Sequence, residues 1–251
     1  MRETDFVGGF AKGLKVIEAF DEAQPRLTIS DVARTTGLDR ATARRCLLTL
    51  AELGYAHFDG KFFELTPRIL RLGHAYLSAT PLPRLVQPHL DWLSERVGQS
   101  ASASVLDGTE IVYVARAAQR RVMSISLVPG SRLPAYCASM GRVLLASLPE
   151  ADARARIENT DRKANTAHTK TDPEELMAEL ARVRAQGFAV IDQELEIGLR
   201  SIAVPLENAR GRVVAALNIG APAAAVPVEE MTARFLPAMR EVQATLRSLL
   251  P

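Results

Sequence analysis

The sequence predicts an α+β protein of two domains joined by a helix, on three observations. Residues 1–65 carry short amphipathic helices, a Gly-containing turn and a hairpin; residues 66–80 read as one linker helix; beyond Gly98 the apolar period changes from helical to strand-like. A length of 251 residues supports the same division, because domains of roughly 100–200 residues are the common size. With 47% hydrophobic and 24% charged residues the composition is globular, which excludes disordered and collagen-like classes.

In the first domain Leu14, Ile17 and Phe20 recur at helical spacing before Gln24-Pro25 breaks the run. A second, short helix is expected over Asp31–Thr36, with Ser30 as its N-cap and Gly37 as the left-handed residue that ends it. Asp39 is placed to cap a third helix, Arg40–Leu53, which Gly54 stops. Two helices joined by a three-residue turn containing glycine is the spacing of a helix-turn-helix. At about 100° per residue, Ala43, Cys46, Leu47, Leu50 and Leu53 share the inner face of the third helix, and Ala41, Arg44 and Arg45 turn outward.

A basic outer face near a helix start suits a DNA recognition helix, since guanidinium forks pair with guanine edges or phosphates and methyl groups touch thymine. Tyr55–Phe58, Asp59-Gly60 and Lys61–Leu65 then read as a hairpin around a type I′ turn, the wing that would follow such a helix. Ser30, Arg40, Ala41, Thr42, Arg44, Arg45 and Lys61 are the candidate contacts to a double-stranded DNA operator. The charge balance lends no bulk support: residues 1–80 hold 11 basic and 10 acidic side chains and the remainder 20 and 19, so each part carries +1. Arrangement, not net charge, carries the expectation.

Thr66-Pro67 has the form of a cap followed by proline at the first helical position, and Ile69, Leu70, Leu72, Tyr76 and Leu77 follow at helical spacing. A further stripe, Leu85, Val86, Leu90, Leu93 and Val97, lies between Pro83 and Gly98. Both stripes are open to burial within one chain or across a dimer. The second domain is set at 81–251. It should contain a hairpin of Ala101–Leu106 and Ile111–Ala115 around Asp107-Gly108, with a strand at Val122–Val128. Helices are expected at Ser139–Leu148, Glu150–Glu158 and Asp172–Gln186, the last capped by Thr171 with Glu174 at capping-box spacing. Strands at Phe188–Asp192, Ser201–Leu206 and Val213–Ile219 precede a final helix over Val228–Leu249.

No enzyme chemistry emerges. The four histidines have no metal-like spacing, and neither a Gly-x-Ser-x-Gly elbow nor a phosphate-cradling loop is present. No cofactor and no metal are expected. Asp192, Glu194 and Glu196 alternate like one face of a strand and read as exposed or supporting carboxylates. Cys46 and Cys137 lack a CxxC partner and are expected to be reduced and structural. No apolar run approaches the roughly 20 residues that cross a bilayer. The start, Met1–Asp5, lacks a signal-peptide profile, so a cytoplasmic location without membrane contact is expected. In Tyr136–Arg142 the chain enters a helix at Ser139, where free backbone N–H groups can hold a carboxylate; Ser139 as a plain cap and Arg142 as a surface ion-pair partner are the alternatives.

The succession of a winged helix-turn-helix, a linker helix, Ser139–Ala146, Gly187–Glu194, Gly198–Pro205 and Val214–Pro222 resembles the IclR family of bacterial transcriptional regulators. Arg132–Arg142 is similar to the subgroup controlling protocatechuate, 4-hydroxybenzoate and β-ketoadipate catabolism. The resemblance implies a GAF-like α/β domain at 81–251 for effector binding and oligomerisation. It also implies a dimer or dimer of dimers, and a small aromatic or dicarboxylic acid as effector. Carried over by position, the effector residues are Tyr136, Ser139, Met140, Gly141, Asp192, Ser201, Asn218 and Gly220. Some members carry Cys at the position of Ser201 and Ser at those of Asn218 and Gly220, so pocket polarity differs here.

Overall fold

The computed structural model describes residues 5–21, 23–119 and 127–251, with the backbone alone at Leu77. The chain divides into two compact units that meet between Thr80 and Pro81.

The first unit holds α1 (Gly8–Ile17), β1 (Arg26–Leu27), α2 (Ile29–Thr36), α3 (Arg40–Glu52), β2 (Ala56–Phe58), β3 (Phe63–Leu65), a 3-10 turn (Pro67–Ile69) and α4 (Leu70–Ala79). Its core gathers Val16, Leu27, Val32, Ala43, Leu47 and Phe63. In α1 Val16 is fully buried; of the expected stripe, Ile17 and Phe20 pack half-buried against this core, whereas Leu14 is 41% exposed.

The second helix starts two residues earlier than expected, and its cap is Thr28, not Ser30. Thr28 is extended, its Oγ1 accepts from Asp31 N at 3.3 Å, and Asp31 Oδ2 accepts from Thr28 N at 3.1 Å. This capping box needs an acid three residues after the cap; Asp31 answers Thr28, whereas Ser30 would face Ala33. Gly37 takes the left-handed conformation at φ 68°, and Asp39 caps α3 through Thr42 N at 2.8 Å. Leu53, just past α3, is 52% exposed instead of completing the inner face.

The wing is real, but its turn is not type I′. Phe58 pairs with Phe63, which leaves a four-residue loop, Asp59–Phe62, closed by Asp59 N to Phe62 O at 3.2 Å. Type I′ needs positive φ at both central residues, and among the described residues Gln193 is the only non-glycine with positive φ. Asp59 instead folds the loop with its side chain, Oδ1 accepting from Lys61 N at 2.9 Å and Phe62 N at 2.8 Å. The short β1 adds a third strand in the order β1-β3-β2.

The second unit comprises α5 (Leu82–Val97), β4 (Ser100–Asp107), β5 (Glu110–Ala117), β6 (Arg132–Pro134), α6 (Ser139–Ala146), α7 (Glu150–Glu158), α8 (Pro173–Gln186), β7 (Ala189–Asp192), β8 (Leu199–Glu207), β9 (Val213–Pro222) and α9 (Glu230–Arg247). The strands form one antiparallel six-stranded sheet in the order β6-β5-β4-β9-β8-β7. One face packs against α5 and α9 through residues such as Val86, Leu90, Ile202 and Phe235. The other carries α6 and α8 through Tyr113, Met140, Leu145 and Leu180. Of the strand expected at Val122–Val128, residues 122–126 lie outside the described residues. The β4–β5 turn is Gly108-Thr109, one residue later than Asp107-Gly108. Asp172, not Thr171, caps α8, accepting from Glu175 N at 2.8 Å with Pro173 at the first helical position.

Candidate functional site

In the first unit, Arg40, Ala41, Arg44 and Arg45 are exposed on α3, and Ser30 is exposed in the first turn of α2. Thr42 departs from the expectation: it is 7% exposed, its Oγ1 accepting from Arg45 Nη2 at 3.2 Å, so it fixes an arginine instead of facing outward. Among the described residues no ion pair holds Arg40, Arg44 or Arg45. Three guanidinium groups are thus available on one helix face. Lys61 is exposed on the wing loop, its Nζ 5.0 Å from the centre of the Phe62 ring. Arg26 reaches the same ring and pairs with Asp59 and Glu64, which braces the loop.

In the second unit the α6 side of the sheet encloses a cavity of about 550 Å³, its open mouth included. Ser139 and Met140 reach it from the start of α6, Ser201 from β8, and Asn218 and Gly220 from β9. Strand register explains the convergence: Ser201 lies opposite Gly220, Gly220 opposite Ser100, and Asn218 opposite Ser102, so these side chains share one face. Ser139 Oγ and Asn218 Oδ1 are buried and have no hydrogen-bond partner among the described residues. Unmet polar atoms facing a cavity are what a polar ligand would satisfy. Ile111, Leu133, Ile191, Leu195 and Leu199 supply apolar wall.

The other expected effector residues stand behind this surface. Tyr136 is buried in the core and its Oη donates to Lys163 O. Gly141 backs onto the preceding turn so closely that a Cβ there would lie 2.1 Å from Ala135 O. Asp192, at the end of β7, accepts from Arg200 Nε at 2.6 Å. It does not share a strand face with Glu194 and Glu196, because β7 stops and Gln193 turns with φ 58°. Nor is Arg142 a surface residue: it is 1% exposed and bonded to Glu194 at 2.6 Å. Cys137 lines the cavity, where burial pushes its thiol up to about 11, away from reactivity.

The sequence reading missed Ser102, Tyr113 and Arg116 in the cavity wall. Between β4 and β5 the register jumps from Ala103↔Ala115 to Ser104↔Tyr113, so Val114 has no opposite residue. Such a bulge reverses the alternation: Tyr113 and Arg116 both face the cavity, whereas Val114 and Ala115 join the opposite core. Strict alternation from Ile111 and Tyr113 assigns Arg116 to the wrong face. Burial raises the Tyr113 phenol to about 12, so it lines the cavity as a neutral hydroxyl.

Comparison with known proteins gives two family matches: the IclR helix-turn-helix domain over residues 10–60 and the bacterial transcriptional regulator IclR C-terminal domain over 74–247. The Pca regulon regulatory protein of Pseudomonas putida is 48% identical, covering 94% of this chain and 81% of its own length. The p-hydroxybenzoate hydroxylase transcriptional activator of Acinetobacter baylyi is 37% identical over 100% of this chain and 94% of its own. Among solved structures, an IclR homolog complexed with 4-hydroxybenzoate from Microbacterium hydrocarbonoxydans superposes with a TM-score of 0.76 at 26% identity, covering 95% of this chain and 99% of that one. Among the described residues no helix is long and apolar enough to cross a membrane.

Proposed function

This chain belongs to the IclR family of transcriptional regulators, and on that premise we propose that it controls aromatic-acid catabolism genes in response to a small organic acid bound in its second unit. The observation that carries the proposal is the cavity in which Ser139 Oγ and Asn218 Oδ1 are buried, with no partner among the described residues, beside the start of α6. A ligand hydroxyl there can donate to Asn218 Oδ1 and a ligand oxygen can accept from Ser139 Oγ, and the apolar wall takes the ligand's carbon body. The protein performs no reaction on the acid. Binding shifts its operator affinity only through a difference in acid affinity between its DNA-bound and free arrangements.

On the DNA side Ser30, Arg40, Ala41, Arg44 and Arg45 meet the operator from α2 and α3 and Lys61 from the wing, with Thr42 holding Arg45 in place. The chain works as a homo-oligomer. Exposed Leu70, Leu72 and Tyr76 on α4 support that reading, at 70%, 47% and 48% exposure. The name of one relative, an activator for p-hydroxybenzoate hydroxylase, and the 4-hydroxybenzoate complex support an aromatic acid as the effector.

Thermal unfolding of the full chain with 4-hydroxybenzoate, protocatechuate and β-ketoadipate tests the reading, since a ligand of the folded state raises the midpoint with concentration. One acid should do so, and Ser201→Leu, which fills the cavity, should abolish the shift. No shift with any of them overturns the effector assignment.

A further inference from the structure

The six-stranded sheet of the second unit ends at β7, and β7 borders a second cleft that shares no lining residue with the cavity beside α6. This cleft measures about 1050 Å³, its open mouth included. One wall is α8, where Glu179, Arg182, Val183 and Gln186 stand at the i, i+3, i+4 and i+7 positions of one helix side. The other is β7, through the alternate residues Phe188, Val190 and Asp192. A helix flank running along an open strand edge makes a groove in which an extended peptide can add a strand to the sheet.

Register shows which backbone groups the edge offers. Gln193 N donates to Leu199 O at 2.9 Å, so by antiparallel alternation Ile191 and Ala189 direct their N–H and C=O groups to β8. Val190, between them, directs both groups away from the sheet. Phe188 O is met by Gln186 Nε2 at 2.7 Å, and among the described residues no further strand pairs with β7. The two faces of an added strand would meet different surroundings. On one face lie the side chains of Phe188 and Val190, half-buried against the core that packs on α5 and α9, and Val228 lines the same cleft. On the α8 face stands Arg182, 63% exposed, while its partner Glu179 is 11% exposed and is also held by Lys170 at 3.0 Å. The acid is sunk and the guanidinium is what an incoming side chain meets.

We propose that the cleft between α8 and β7 is a docking groove for an extended segment of a partner protein, which adds to β7 as a seventh strand and alternates apolar with acidic side chains. The apolar residues lie beside Phe188 and Val190, and the acidic ones point toward Arg182. The added strand runs antiparallel to β7, the pairing used throughout this sheet and the more stable one per residue. The groove does not depend on what the cavity beside α6 binds.

The test is fluorescence anisotropy of a labelled six-residue peptide alternating valine and glutamate, titrated with the full chain. Its valine–lysine counterpart should bind more weakly. Methylating the backbone nitrogens of the valines, whose N–H groups face β7, should weaken binding by about tenfold or more relative to methylating those of the glutamates, which face away. Val190→Pro removes the facing N–H from the chain and should cost a similar factor, and Arg182→Gln should weaken the acidic peptide by about two- to fivefold at low salt. The bound peptide should also slow hydrogen–deuterium exchange over residues 188–192. Should Val190→Pro fail to fold, the methylated peptides on wild type decide the matter. No binding up to about 1 mM overturns the proposal, as do equal losses for the two methylated peptides or tighter binding of the lysine peptide. Concentration-dependent self-association that Val190→Pro abolishes would put a second copy of the chain on β7 and overturn the partner-segment assignment.

Discussion

Arg142 Nη2 lies 2.6 Å from Glu194 Oε2 in a pair whose side chains are 2% and 6% exposed. The pair joins the first turn of α6, which carries Ser139 and Met140 into the cavity, to the segment just after β7. Further bonds complete it: Arg142 Nε donates to Tyr136 O at 3.0 Å, and Lys170 N donates to Glu194 Oε2 at 3.0 Å. The helix start is therefore held in place by groups that do not face the cavity.

Removing one partner strands the other charge in the interior. Arg142→Met should destabilise the chain by about 3–5 kcal/mol in urea unfolding, and Arg142→Met combined with Glu194→Leu should recover much of that loss. A single-variant loss under about 1 kcal/mol would mean the pair behaves like an exposed one.

Gly141 is required by close packing, not by backbone conformation. Gly141→Ala puts a methyl group against the Ala135 carbonyl, and overpacking of this kind costs about 1–3 kcal/mol. The thermal midpoint should fall and 4-hydroxybenzoate should shift it less than in wild type, because α6 must move away from the turn. An unchanged midpoint would show that the turn yields freely.

On α3, Arg44→Ala should weaken operator binding by about 1–3 kcal/mol if the guanidinium reads a base. Lys61→Ala should weaken it for all sequences and reduce the salt slope by about 1 if the ammonium meets a phosphate. Fluorescence anisotropy over a salt series separates the two, and the acid-induced thermal shift should persist in both variants. Operator affinity unaltered in Arg44→Ala would remove that residue from the interface.

Asp31, Asp39 and Asp59 are all held below the ordinary carboxyl value of 3.8, chiefly by hydrogen bonds from Thr28, Thr42 and the Phe62 N–H respectively. A depressed folded-state pKa gives a contribution that is present above the unfolded value and lost as pH falls through the folded one. The helix-turn-helix and wing should therefore open progressively below about pH 4 and show no dependence from these groups above about pH 5. Hydrogen–deuterium exchange over residues 28–62, corrected for intrinsic rates, reads this directly. Asp39→Asn keeps a capping side chain without titration and should flatten the dependence around α3; an unchanged profile would exclude Asp39 as a source.

Local chemistry sufficed wherever the determining residues are close in sequence. Gly37, Asp39 and Pro173 mark turns and helix ends, because capping and left-handed backbone are decided within a few residues. Even there, two helix starts moved: Thr28 and Asp172 proved better caps than their neighbours Ser30 and Thr171, since each places its oxygen on the N–H three residues on. Family resemblance carried Ser139, Ser201, Asn218 and Gly220 to the cavity, because antiparallel register brings residues from β8, β9 and the start of α6 to one place.

By itself the sequence determined the helix-turn-helix, the wing, the linker helix and the α+β order of the second unit, all of which follow from periodicity and turn chemistry. Tertiary structure alone decided that Leu14 of α1 stays exposed, that Thr42 faces inward, that Arg142 is an interior ion pair, and that Arg116 faces the cavity. Each of these depends on what lies opposite, a partner helix, a distant carboxylate or a bulge at Val114. Such a choice costs nothing locally and is settled only when the surfaces pack.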